Sequence, residues 1–248
     1  MIRRSLVSSL VIATASAICP TAQAAPGALT DVVVEPGPSA HPYGDYDVVA
    51  QNVGTLRASY AGQNLTCSGA SAQGTLHSNS PIAAPYLEFL NGGGYATTFS
   101  GCTSIVPIDV TLTCPLQITA GPGQTVDDAP VDVAPDTNVT GILRVADASG
   151  NACIKVEDHI GGLGCRMTIA GSTSASFDET RSPDASGMDW QELTVSGSGL
   201  YVKSISGACA SLVPVNSAIS VTATFDLRVA DPSVTHTPSP DGSINFRS

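Results

Sequence analysis

The sequence contains few of the residues that build the commonest functional sites. Aromatic residues make up 5% of its 248 positions, tryptophan occurs once, and four positions are histidine. A glycosidase needs two carboxyl groups held across a cleft, and ligand clefts are lined largely by apolar and aromatic side chains. The low aromatic content therefore argues against a sugar-cleaving enzyme.

Basic residues are scarce as well. Lysine occurs only at Lys155 and Lys203, and the formal net charge of the chain is −11. An anionic surface of this kind repels nucleic acid and anionic lipid. The sequence therefore predicts no nucleic-acid partner. We interpret the acidity chiefly as a source of solubility outside the cell, with recruitment of cations or basic partners as the alternative.

Motifs that carry chemistry are also missing from the sequence. It has no G-x-S-x-G elbow, no H-E-x-x-H pair, and no P-loop lysine after the glycines at 92–94. The histidines are isolated from one another, and we interpret each as a surface residue; they are His41, His77, His159 and His236. No catalytic residue, cofactor or metal ion is predicted.

Two acidic stretches are candidate calcium sites. Calcium is bound by six to eight closely spaced oxygen ligands, and neither stretch has the D-x-D-x-D-G spacing. Solvated loops are therefore the preferred interpretation. The residues are Asp127, Asp128, Asp132 and Asp136 in the first stretch, and Asp178, Glu179, Asp184 and Asp189 in the second.

The N-terminal residues have the pattern of a secretory signal. Arg3 and Arg4 precede an apolar run at 6–18, and Ala22-Gln23-Ala24 offers a cleavage site. That run is too short to cross a bilayer, and no later stretch approaches the roughly 20 apolar residues that a membrane helix needs. The sequence predicts a secreted, extracellular or cell-envelope protein that begins near Ala25 and has no membrane-spanning helix. The secretion route stays open.

The strongest structural signal is an alternation of apolar and polar residues at 217–229. A β-strand points successive side chains to opposite faces, so this pattern predicts a strand with one buried row. The apolar row is Ile219, Val221, Ala223, Phe225, Leu227 and Val229. Because Phe225 lies in that row, Phe225→Ala is expected to cost about 3 to 5 kcal/mol.

Further strands are predicted before this one, at 191–195 and 200–205. The glycine-containing linker at 196–199 can form a tight turn between them, which predicts a hairpin. No stretch shows helical periodicity. The predicted fold is all-β, an antiparallel β-sandwich stapled by disulfides. Its predicted parts are a signal peptide at 1–24, a lead-in with edge strands at 25–60, the sandwich core at 61–230, and a C-terminal tail at 231–248.

Six cysteines remain once Cys19 of the signal is set aside. They are Cys67, Cys102, Cys114, Cys153, Cys165 and Cys209. An even number of cysteines in an exported chain predicts disulfides. The close pairs that zinc sites use are absent. Six cysteines allow fifteen pairings, and counting alone does not choose among them.

Residues of roughly 60 to 230 resemble a family of secreted β-rich proteins of actinobacteria, most of them uncharacterised. The resemblance rests on four cysteines and on glycine-flanked strands. The matching segments are Leu65-Thr66-Cys67, Phe99-Ser100-Gly101-Cys102, Gly164-Cys165, Leu193-Thr194-Val195, Gly199-Leu200-Tyr201-Val202 and Gly207-Ala208-Cys209. The resemblance implies a β-rich secreted domain, and it brings no activity and no catalytic residues.

The four-cysteine pattern of that family also implies a pairing. Its cysteines divide into an early pair, Cys67 with Cys102, and a late pair, Cys165 with Cys209. Cys114 and Cys153 are additional to the pattern and are then expected to pair with each other. Each bridge is expected to stabilise the fold by about 3 to 4 kcal/mol.

The function predicted from these features is that of an exported, non-enzymatic extracellular or envelope β-protein, with an envelope or extracellular partner left open. Three alternatives stay open. The first is a ligand- or carbohydrate-binding module, which should expose aromatic residues among Tyr86, Tyr95, Trp190 and Tyr201 on a concave face. The second is a secreted hydrolase with an unfamiliar site near His159. The third is an oligomeric envelope channel.

Overall fold

The structure, a computed structural model, describes residues 27–28, 31–35, 44–78, 84–89, 91–92, 95–104, 107–121, 125–126, 137–158, 164–178, 191–231, 237–238 and 243–247. The expected signal peptide at 1–24 lies outside these residues. Almost all regular structure in the described part is β-strand, and its single helical element is a 3₁₀ turn at Gly207–Ser211. No helix within the described ranges is long and apolar enough to cross a membrane.

Eighteen strands form in the described residues. They are β1 (Gly27–Ala28), β2 (Asp31–Glu35), β3 (Gly44–Tyr60), β4 (Gln63–Ser78), β5 (Leu87–Phe89), β6 (Asn91–Gly92), β7 (Tyr95–Ala96), β8 (Thr98–Thr103), β9 (Ile108–Leu112), β10 (Leu116–Ala120), β11 (Thr125–Val126), β12 (Thr137–Arg144), β13 (Ile154–Asp158), β14 (Arg166–Asp178), β15 (Gln191–Ser206), β16 (Ala218–Asp231), β17 (Thr237–Pro238) and β18 (Ser243–Arg247).

Eight of these strands form a closed antiparallel barrel in the order β12-β10-β5-β4-β3-β16-β15-β14. The ring closes because β12 is hydrogen-bonded to both β10 and β14. The all-β prediction is confirmed, and the predicted sandwich is corrected to a barrel. Alternation along a strand shows which side chains face inward, but it does not show whether they meet a second sheet or the far wall of the same sheet.

Five barrel strands continue beyond the ring as an extension of the same sheet. In this extension β8 pairs with β4, β13 pairs with β14, and β9 pairs with β13. The outer strands β8 and β9 meet at the antiparallel bridge Thr103↔Pro107. The molecule therefore consists of a closed barrel and an extension that share β3, β4, β14, β15 and β16.

Register shifts mark the passage from the barrel to the extension. They occur at 51–56 between β3 and β4, at 222–224 between β16 and β3, at 197–200 between β15 and β16, and at 171–174 between β14 and β15. Bulges bend a strand and increase its twist. Because the shifts lie on neighbouring strands, they allow the sheet to bend there, and we call this level the waist.

The expected hairpin at 196–199 is instead part of one long strand, β15. The glycines allow β15 to lie close to β14. A Cβ atom on Gly199 would overlap the carbonyl oxygen of Ser172. Gly197 has a φ of +151°, and a Cβ atom there would lie 2.5 Å from Oγ1 of Thr173. Glycine inside a strand commonly marks a bulge or a place where another backbone approaches closely. These glycines are of that kind, and the predicted turn is not formed.

The lead-in expected at 25–60 does not consist only of edge strands, because β3 at Gly44–Tyr60 lies inside the sheet. The strand β3 pairs along its length with β4 on one side and β16 on the other. Its residues Tyr46, Val48 and Ala50 are buried, so β3 belongs to the core. Within the expected tail at 231–248, β17 pairs with β16, and β18 pairs with β2.

Five of the largest fully buried side chains lie at one end of the closed barrel, which we call the packed end. Leu87 is the cross-strand partner of both Leu76 and Ile118. The ring of Tyr86 lies 5.9 Å from that of Phe177, measured between centroids. These five side chains are less than 2% exposed. Burial raises the pKa of the Tyr86 hydroxyl above its usual range.

Phe225 does not lie fully inside the core. Its neighbours in the same row, Ile219, Ala223, Leu227 and Val229, are buried, so the predicted inward face of this strand is correct. Phe225 itself is half-buried and packs against the core from the waist. The expectation of a fully buried phenylalanine is therefore corrected, because the alternation fixes direction and not depth.

Three disulfides cross-link the sheet, and they join the pairs expected from the resemblance: Cys67–Cys102, Cys114–Cys153 and Cys165–Cys209. Cys67 and Cys102 are direct partners in the β4–β8 ladder. The second bridge joins the segment between β9 and β10 to the residue before β13, and the third joins the residue before β14 to the 3₁₀ turn. Such bridges are typical of oxidising compartments.

Candidate ligand cavity at the waist

Those polar residues singled out in the sequence that fall within the described ranges are not gathered into one site. His77 is described, and its Nδ1 lies 2.7 Å from Oδ1 of Asp45 on the neighbouring strand. His41, His159, His236 and the stretch 127–136 lie outside the described residues. Within the described ranges, no three histidine, cysteine or acidic side chains are grouped as a metal site would require.

Of the four aromatic residues proposed for a concave binding face, the structure describes the side chains of Tyr86 and Tyr201. Tyr86 is 1% exposed and belongs to the packed end, so its predicted role on an open face is wrong. Tyr201 is half-buried on β15. Trp190 and the side chain of Tyr95 lie outside what the structure describes.

An apolar cavity of about 90 Å³ lies inside the sheet at the waist. Side chains of the closed barrel and of the extension both line it, so it lies where the two parts meet. Its walls are Ala50, Leu56, Ala70, Ser71, Ala72, Phe89, Thr97, Phe99, Leu116, Leu143, Val145, Ile154, Leu193, Val195, Leu200, Val221, Ala223 and Phe225.

The cavity is bordered by small side chains that face inward on three adjacent strands. Ala50 of β3 and Ala72 of β4 are direct cross-strand partners, and Ala223 of β16 faces Val195 of β15. An eight-stranded barrel has an interior just wide enough for side chains to fill. Methyl groups at these positions leave space unfilled, whereas the leucine and aromatic side chains of the packed end fill theirs.

The wall of the cavity is suited to uncharged groups. Of the lining residues only Ser71 and Thr97 carry a polar side-chain atom, and neither is ionisable. The Ser71 hydroxyl lies 2.8 Å from Thr98 Oγ1 on the exposed side of the sheet. A charged group without a partner would pay a large desolvation cost in such a space. The site can therefore hold an apolar group and is unsuited to an ion.

One wall of the cavity lies beside a gap in the ladder between β3 and β4. Pairing stops at Gln51 and resumes at Leu56. Asn52 bridges the gap: its Oδ1 accepts from the Ala70 backbone N–H at 2.6 Å, and its Nδ2 donates to the Gly54 carbonyl at 2.6 Å. The side chain thus supplies a partner that the ladder does not provide.

The opposite wall is built where the chain crosses between the barrel and the extension. Thr113, Cys114 and Pro115 lead from β9 to β10, and residues 145–153 lead from β12 to β13. The Thr113 backbone N–H donates to the Cys153 carbonyl at 2.8 Å, and the Cys114–Cys153 disulfide joins the same crossings.

A turn orders the second crossing. Asp147 Oδ1 accepts from the backbone N–H groups of Ser149 at 2.9 Å and Asn151 at 2.7 Å, and its Oδ2 accepts from Asn151 Nδ2 at 2.7 Å. The side-chain bond from Asn151 contributes most to holding the pKa of Asp147 below its usual value, followed by the backbone bond from the same residue. Lys203 Nζ donates to the carbonyl of Gly150 in the same turn.

A second cavity of about 120 Å³ lies at the far end of the extension, beside the Cys165–Cys209 disulfide. Its rim includes Glu157, whose carboxylate lies 2.6 Å from both Lys155 Nζ and Arg166 Nε. The hydrogen bond from Lys155 leads the interactions that lower the pKa of Glu157. Its charge is therefore already compensated by neighbouring cations. Leu212, also on the rim, is 60% exposed. The waist cavity differs in having no ionisable residue in its lining.

Sequence reasoning missed the waist cavity. The available signal was alanine at inward positions of otherwise regular strands, namely Ala223 in the strongest alternating pattern and Ala50 after Tyr46 and Val48. The neighbours of these alanines across the sheet depend on register, which the sequence did not provide.

No protein-family model, curated protein or solved structure matches this chain.

Proposed function

We propose that this is an exported, non-enzymatic binding protein that holds a small uncharged apolar molecule, or the apolar end of a larger one, in the waist cavity. The observation that carries the proposal is a space at the waist, where the barrel and the extension meet, whose walls are almost entirely hydrocarbon. Among the alternatives drawn from the sequence, a ligand-binding module fits this space best.

Export and the absence of catalysis rest on separate grounds. The basic and apolar N-terminus with Ala22-Gln23-Ala24 supports export, and the three disulfides fit an oxidising compartment. The non-enzymatic role is supported by the lack of a catalytic motif in the sequence and by the chemistry of the cavity, which provides no acid or base to a bound molecule.

The volume of the cavity limits what can enter. An engineered protein cavity of about 150 Å³ lined by aliphatic and aromatic side chains binds benzene or xenon. The waist cavity, at about 90 Å³, is smaller, so it suits xenon, a compact hydrocarbon, or the end of an alkyl chain. A drug-sized ligand would require larger pockets of about 300 Å³ or more.

The test measures binding of xenon and benzene to the mature oxidised protein, by xenon NMR and by the shift of the melting temperature with benzene concentration. A ligand that binds only the native state raises the melting temperature. Ala223→Leu should fill the cavity and abolish both signals. Ala218→Leu makes the same change at an exposed position of the same strand and should bind as the unmodified protein does.

Two outcomes would overturn the proposal. One is that the unmodified protein binds neither xenon nor benzene. The other is undiminished binding in a folded Ala223→Leu variant, which would place the bound probe elsewhere.

A further inference from the structure

We propose that the Cys114–Cys153 disulfide is a positioning element for the waist cavity, and that ligand affinity depends on it more than on the Cys165–Cys209 disulfide. This inference rests on the proposed function. It assigns to one of the three bridges a role beyond general stabilisation, because of where that bridge lies in the fold.

The first observation is the closeness of the bridge to the cavity wall. Cys114 lies two residues before Leu116, and Cys153 lies one residue before Ile154; both neighbours line the cavity. Val145, a third lining residue, accepts from the Cys153 backbone N–H through its carbonyl at 3.4 Å. Three wall residues therefore lie in or directly beside the crossings that the disulfide joins. Leu116 and Ile154 also pair with neighbouring strands, and the Val145 backbone N–H donates to the Gly171 carbonyl at 2.8 Å.

The second observation is that no strand ladder joins the two crossings to each other. Residues 113–115 and 145–153 lie between strands and contain only the isolated bridge Ala146↔Ala152. Besides the disulfide, the bonds that join one crossing to the other include Thr113 N–H to the Cys153 carbonyl and Thr113 Oγ1 to the Ala152 carbonyl at 2.9 Å. The covalent link adds to these bonds in limiting how far the two crossings can move apart.

The other two disulfides lie in different settings. Cys67 and Cys102 are partners within the β4–β8 ladder, whose hydrogen bonds already fix their register. Cys165 and Cys209 border the second cavity and none of the waist cavity. The Cys165–Cys209 bridge is therefore a control for the loss of a disulfide without loss of the cavity wall.

The experiment compares the double variants Cys114→Ala/Cys153→Ala and Cys165→Ala/Cys209→Ala. Their bridges span 39 and 44 residues, so the loss of loop-closure entropy is nearly the same for both. Benzene affinity is measured at a temperature where both variants are folded. We expect at least a tenfold loss for the first variant and a change of less than twofold for the second.

A second comparison covers the case in which the Cys114→Ala/Cys153→Ala variant does not fold. Thr113→Ala keeps all the disulfides and removes the side-chain bond to Ala152, so benzene binding should weaken severalfold. Thr66→Ala removes the exposed hydroxyl contact with Thr103 on β8 and should leave binding unchanged.

Failure of this inference can be told apart from failure of the proposed function. If the unmodified protein binds neither xenon nor benzene, the proposed function is wrong. If it binds them and a folded Cys114→Ala/Cys153→Ala variant binds equally well, or both double variants lose the same affinity, the positioning role is wrong. Should that variant not fold, unchanged binding in Thr113→Ala overturns the inference.

Discussion

The packed end and the waist are built from the same strands, yet one is filled and the other is not. In each of two neighbouring strands, an alanine at the waist lies four residues from a large buried side chain on the side of the packed end. The pairs are Ala50 and Tyr46 on β3, and Ala72 and Leu76 on β4; Tyr46 and Leu76 are themselves cross-strand partners. The difference teaches that strand pairing fixes the width of the interior, while side-chain volume decides whether the interior is core or cavity.

The unfilled waist has an energetic cost. Cavities in protein cores lower stability by roughly 24 cal/mol per Å³, so a space of about 90 Å³ corresponds to about 2 kcal/mol. Folded domains are stable by only about 5 to 15 kcal/mol, which makes this a considerable fraction. Local departures from good packing are typical of functional sites, and this supports assigning the binding role to the waist.

The largest expected contrast is between two phenylalanines. Phe177 is fully buried at the packed end against Tyr86, so Phe177→Ala should cost about 4 kcal/mol. Phe225 is half-buried and already borders empty space, so Phe225→Ala should cost only about 1 to 2 kcal/mol. The partial burial of Phe225 thus lowers the cost of Phe225→Ala from the value of about 3 to 5 kcal/mol expected from the sequence. Urea titrations of both variants provide the measurement.

Thr224→Ala serves as the reference for that titration. Thr224 is adjacent to Phe225 and points to the other face of β16, so its loss should cost less than about 1 kcal/mol. Equal costs for Phe177→Ala and Phe225→Ala would remove the distinction between the two regions.

A smaller contrast concerns added volume. A Cβ atom on Gly141 at the packed end would lie 2.9 Å from the Tyr86 hydroxyl oxygen and 3.0 Å from Ile118 Cγ2. Gly141→Ala should therefore destabilise by about 1 to 3 kcal/mol through overpacking. Ala223→Val places its methyl groups toward the cavity and should stabilise by about 0.5 to 1 kcal/mol. Opposite shifts of the thermal midpoint are expected, and destabilisation by both changes would mean that the waist is already filled.

Much of the sheet could be predicted from the sequence because alternation is a local property. The alternating row of β16 and the absence of helical patterning came directly from residue order. The closure of the ring could not be predicted, because it depends on β12 reaching both β10 and β14 across distant parts of the chain. Gly197 and Gly199 misled for a related reason: glycine permits both a turn and a bulge, and only the neighbouring strand decides.

The cavity was beyond sequence reasoning for the same physical reason. Ala50 and Ala72 lie 22 positions apart in the chain, and their partnership is a matter of register. The cysteine pairs, by contrast, could be predicted, but the prediction came from a resemblance to a family and not from geometry. The sequence could not show that the Cys114–Cys153 bridge would border Leu116 and Ile154.

The smallest expected effect is a pH dependence confined to the waist. Hydrogen bonds from Asn151 lower the pKa of Asp147 in the folded protein. A carboxyl group whose pKa is lower in the folded state stabilises the fold above its unfolded pKa of about 3.9, and this contribution is lost as the pH falls through the folded value. Because Asp147 lies in the crossing beside Val145, acid should loosen this wall before it loosens the packed end.

Hydrogen exchange at pH 5 and below pH 3 tests this: protection of the Cys153 amide should fall more than that of the Tyr86 amide. Asp147→Asn should reduce that difference, whereas Ser149→Ala, which keeps the carboxylate and its backbone partners, should preserve it. A pH response of equal size at both amides would show that acid acts on the whole fold and would remove the waist as a separately sensitive region.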